Sequence, residues 1–133
     1  LLANKGKNGE QSGGTVITDS TGKTSLFIDF PALSAIESEF PRHDIQDLVD
    51  AFVVHEGSHG AEQRNRFRSG LPPMYTARAD LRWSEYTANW REVIYFKTRG
   101  RDAPWLQWTK DGGINIQLID EYVRRSLEVS DEN

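Results

Sequence analysis

The stretch Ser69-Gly70-Leu71-Pro72-Pro73 constrains the architecture of this 133-residue chain more than any other feature. Paired prolines cannot continue a helix, because proline lacks the N–H and its ring clashes with the preceding turn. On both sides of this break apolar residues recur with a helical period, which predicts two helices joined by a tight connection. Upstream, Asp44 is a good N-cap for a helix over residues 45–67. At about 100° per residue, Ile45, Leu48, Val49, Phe52 and Phe67 fall on one side of it. Gln46, Asp47, Asp50, Arg64, Asn65 and Arg68 fall on the other. Downstream, Thr76 can cap a second helix that runs to Lys97 and ends at Arg99-Gly100. Trp83, Tyr86, Trp90 and Val93 form its apolar stripe, and Asp80, Arg82, Ser84, Thr87 and Arg91 its polar face.

The remainder is shorter and more varied. Residues 1–14 hold four glycines among Lys, Asn, Gln and Ser, the composition of a flexible linker. Two β-prone runs, residues 15–18 and 25–30, flank the turn-rich segment 19–23 and predict a β-hairpin with Leu26, Ile28 and Phe30 on one face. Pro31 suits the first turn of a short helix ending near Phe40. Residues 105–108 read as a turn or short strand, 111–113 as a turn, and 114–127 as a final amphipathic helix. A hairpin followed mainly by helices is an α+β order, with residues 15–133 forming one domain.

Several function classes drop out. The chain has no Cys, so disulfide frameworks, thiolate metal sites and cysteine nucleophiles are excluded. No apolar run approaches the roughly 20 residues of a membrane span, and no signal segment is evident, so a soluble domain is expected. A net charge of −4 argues against a general nucleic-acid coat. Residues 64–101 do carry nine Lys+Arg against three Asp+Glu. Those cations follow helix polar faces and read first as solvated surface, with an acidic partner as the alternative. The chain starts at Leu1 without Met, as a piece excised from something longer would.

The chemistry-bearing motif is His55-Glu56-Gly57-Ser58-His59, inside the first long helix. Residues four apart project from one face about 6 Å apart along the axis. Two ring nitrogens so placed can meet one tetrahedral ion, and Glu56 can reach a water on that ion. For this composition the pattern arises by chance in roughly 0.3% of chains. Two of the three histidines are spent on it. The plainer reading is a pair of satisfied core histidines beside a surface Glu.

A third ligand must come from elsewhere. Glu62 lies about 10.5 Å beyond His55 along the axis and cannot share an ion with both histidines. The second helix offers Glu85 and Glu92, seven apart and on one face, and either can serve. Glu85 sits away from the polar face, among Leu81, Ala88 and Phe96, where a cation explains a carboxylate better than water does. A partly exposed Glu85 pairing with Arg78 or Arg82 is the ordinary alternative.

His55-Glu56-x-x-His59 followed by Glu85 in Ser84-Glu85-Tyr86-Thr87-Ala88-Asn89 resembles the gluzincin zinc metallopeptidases, over residues 45–96. In that clan an active-site helix carries H-E-x-x-H and a downstream glutamate helix supplies the third ligand. The resemblance implies a minimal zincin fold: a small sheet beside those two helices, with a C-terminal helix added. It implies one zinc ion held by His55, His59 and Glu85, with Glu56 as catalytic base. It also implies a polar residue four after the ligand Glu, here Asn89, accepting from the N–H of His55. No further His follows His59, which excludes the metzincin subclass. The expected activity is hydrolysis of peptide bonds in a protein or peptide substrate, or of amide links in cell-wall peptides. A noncatalytic zinc-binding regulator or interaction module on the same scaffold is the alternative. The linker-like start and compact domain are also similar to metallopeptidase toxin domains at the ends of large secreted bacterial proteins, which implies a cognate inhibitor. Gly57 and Gly60, weak helix formers, fit either a groove beside the ion or close packing.

Overall fold

The computed structural model describes residues 4–5, 11–12, 14–40, 43–101, 103–104, 117, 120–121 and 123–125. It is α+β: two small antiparallel ladders precede a mainly helical body. Strands β1 (Asn4–Lys5) and β2 (Gln11–Ser12) form a two-residue ladder within the stretch read as linker. Strands β3 (Gly14–Thr18) and β4 (Thr24–Ile28) form the expected hairpin, whose first rung is Gly14↔Ile28. The turn is held by Asp19, which accepts from the Thr21 and Lys23 backbone N–H groups at 2.9 and 3.0 Å.

Phe30 does not extend β4. Asp29 accepts from the Ala32 N–H at 3.0 Å and so caps a helix, α1 (Phe30–Ile36), with Pro31 in its first turn. A single 3₁₀ turn, Glu37–Glu39, follows. Phe30 therefore leaves the hairpin face and is half exposed.

Helix α2 (Ile45–Arg68) starts as the sequence predicts, with the Asp44 carboxylate accepting from the Asp47 N–H at 2.9 Å. Helix α3 (Arg78–Lys97) is capped by Ala77 without a side-chain bond, so Thr76 is not its cap. Among the described residues of the C-terminal segment, 117, 120–121 and 123–125 are helical, in line with the expected last helix. The readings of 105–108 and 111–113 lie outside the described residues. No helix among the described residues is long and apolar enough to cross a membrane.

The core joins Leu33 of α1, Leu48 and Ala51 of α2, Val93 and Phe96 of α3, Ala103 and Val123. Tyr86 and Trp90 pack against it, but Trp83 is 67% exposed and only stacks on Tyr86. Asp47 departs from its expected solvent face. It is buried, pairs with His43 Nδ1 at 3.1 Å and accepts from Arg101 Nη1. A charge partner 54 residues away thus makes a buried carboxylate tolerable.

The hairpin lies on α2, and Gly60 is one place where they pack closely. A Cβ at Gly60 would stand 3.2 Å from methyl groups of both Thr24 and Val16. This glycine serves close packing of helix on sheet. Gly57 differs, since a Cβ there would meet nothing within 4 Å. Gly57→Ala is expected to stabilise the domain by about 0.5–1 kcal/mol, through helix propensity alone. Thermal melts should rise by a few degrees; a lower Tm would show that the space beside Gly57 is filled.

Candidate metal centre

His55 and His59 project from α2 toward α3. The contacts His59–Ser84 and His55–Glu92 run in opposite chain directions, so the two helices are antiparallel. This packing brings the centre of α3 against both imidazoles. His59 Nε2 lies 2.8 Å from Glu85 Oε1, and His55 Nε2 lies 3.1 Å from Glu85 Oε2. The two Nε2 atoms are 3.1 Å apart.

Ligands about 2.0–2.1 Å from a tetrahedral ion stand roughly 3.3–3.4 Å from one another. The three side chains are already near that spacing, and His55, His59 and Glu85 form a group that can hold a metal ion, with ligand atoms within 4.8 Å of one another. Glu62 is not part of it.

The far nitrogens of both rings are also engaged. His55 Nδ1 is 3.2 Å from Glu92 Oε1, and His59 Nδ1 is 2.8 Å from Ser84 Oγ. Each Nε2 is thereby left facing the Glu85 carboxylate. Glu92, only 2% exposed, takes the place that the resemblance assigned to Asn89. Asn89 instead donates its amide to the Glu85 carbonyl oxygen of its own helix at 2.9 Å. Helix rotation explains the exchange. Four residues beyond Glu85 the helix points about 40° to one side of it, whereas seven residues beyond it points only about 20° off, to the other side. The seven-residue spacing of Glu85 and Glu92 was the signal in the sequence for a shared role. Ser84 gives no such signal: helix periodicity places it on the polar face, yet it is buried.

Electrostatics follow from this crowding of carboxylates and imidazoles. Burial disfavours a charged His55, but Glu92 and Glu85 outweigh it and hold its pKa well above the ordinary value. Burial likewise opposes an ionised Glu85, yet hydrogen bonds from His55 and His59 hold its pKa well below the usual carboxylate range. For Glu56 burial dominates and pushes the pKa up, with the histidines pulling it back only in part. Glu56 makes no hydrogen bond or ion pair among the described residues.

A histidine with a raised folded pKa stabilises fully below its unfolded value of 6.5 and loses that stabilisation as pH climbs through the folded value. The metal-free protein is therefore expected to unfold at lower urea as pH is raised above 6.5. Glu92→Gln should flatten that dependence. A urea midpoint in chelator that stays constant on the alkaline side would contradict the pairing.

Comparison of the chain with protein-family models, curated proteins and solved structures gave no match.

Proposed function

We propose that the protein is a zinc-dependent peptidase in which His55, His59 and Glu85 hold one zinc ion and Glu56 is the general base. The observation that carries this reading is the two-His, one-Glu donor set beside a largely buried carboxylate, Glu56, that feels both imidazoles electrostatically but makes no hydrogen bond or ion pair among the described residues. Two imidazoles and one carboxylate are a typical catalytic zinc set, which keeps a fourth position open. Bound there, zinc would lower the pKa of a water and polarise a carbonyl.

The chain's own residues do the rest. Glu85 and the two imidazoles are oriented before any ion arrives, because each has a partner on the opposite helix. Glu56, raised in pKa by burial, takes a proton from the attacking water and passes it to the leaving amine. Among the described residues β4 is laddered only to β3, and its other edge is the one that would align an extended peptide by main-chain hydrogen bonding.

Zinc-loaded protein incubated with a broad peptide library should cut it, and a chelator should abolish the cutting. Tight zinc binding with no hydrolysis of any peptide would leave the noncatalytic binding module as the better account.

A further inference from the structure

We propose, building on the metal-site reading above, that Ser84 is a positioning residue for the second imidazole. It accepts the Nδ1–H of His59 and so leaves Nε2 for the ion. Ser84 is 5% exposed, and its Oγ lies 2.8 Å from His59 Nδ1. The next residue in the chain, Glu85, reaches the opposite nitrogen of the same ring, also at 2.8 Å. Consecutive residues of α3 therefore clamp one imidazole from its two sides.

The chemistry makes this clamp specific. A neutral imidazole carries a single N–H, so a metal on Nε2 requires the proton on Nδ1. With the ring largely buried, that N–H needs an acceptor. A serine in mid-helix is less favourable than alanine, and its hydroxyl would be a liability in this interface without a partner. Charge also favours a hydroxyl here. His55 already has a carboxylate, Glu92, at its far nitrogen. Together with Glu85 this anion balances a divalent ion, and Ser84 orients the second ring without adding charge.

Zinc affinity, measured by competition with a chromophoric chelator, should fall about 10- to 100-fold in Ser84→Ala. Ser84→Thr, which keeps the hydroxyl, should bind close to wild type. Melting of the metal-free variants shows whether either substitution acts through folding. Long-range ¹H–¹⁵N spectra of zinc-loaded wild type decide the matter even if Ser84→Ala does not fold. The account expects zinc on His59 Nε2 and a slowly exchanging Nδ1–H. Unchanged affinity in a folded Ser84→Ala, or zinc on His59 Nδ1, overturns the role of Ser84 while leaving the metal site standing. Wild type that binds no zinc removes the metal-site reading itself.

Discussion

Glu56→Gln is expected to lower kcat/KM for peptide hydrolysis roughly 100- to 10,000-fold while one zinc ion stays bound. The substitution keeps the side chain's shape and removes its charge together with its capacity to take a proton. Glu56 makes no hydrogen bond or ion pair among the described residues, so the change has no structural partner to disturb. The loss corresponds to about 2.7–5.5 kcal/mol of transition-state stabilisation. Steady-state kinetics beside metal analysis of the same sample check it. Full activity in Glu56→Gln with zinc bound would assign proton transfer to another residue.

Glu85→Ala is expected to weaken zinc binding by more than the 10- to 100-fold typical of losing an outer partner. It leaves two imidazole nitrogens and removes the carboxylate that both of them face. Glu92→Gln should fall within that outer-partner range, because Glu92 meets His55 at Nδ1, the nitrogen turned away from Glu85. Zinc titrations of the two variants therefore rank the two carboxylates. The reverse order, with Glu92→Gln the more damaging, would make Glu92 the ligand.

How far these assignments were legible in the sequence depended on the range of the interaction concerned. The start of α2 was readable because its cap is local: Asp44 bonds the N–H three residues on. The His55–His59 pair was readable for the same reason, as helix geometry alone places residues four apart together. Strand β4 was overrun to Phe30 because alternation continues past the point where Asp29 begins to cap a helix. Periodicity places Asp47 and Ser84 on solvent faces, yet both are buried. Their partners, Arg101 and His59, lie 54 and 25 residues away, a pairing that helix phase along one segment does not encode. Trp83 errs in the opposite direction, since an apolar stripe can run past the end of the surface that covers it.

The third ligand lies between these cases. Helix phase placed Glu85 and Glu92 on one face, but which of them meets Nε2 depends on how α3 is set against α2. That setting follows from tertiary packing of Leu48, Ala51, Val93 and Phe96. The same packing turned Asn89 onto its own helix backbone and brought Glu92 to His55.

The most direct test of the central claim is a crystal structure of zinc-soaked protein with anomalous data collected at the zinc edge. The account predicts one strong peak about 2.0–2.2 Å from His55 Nε2, His59 Nε2 and a Glu85 oxygen. A fully soaked crystal with no peak between α2 and α3, or with its peak on other side chains, would contradict it.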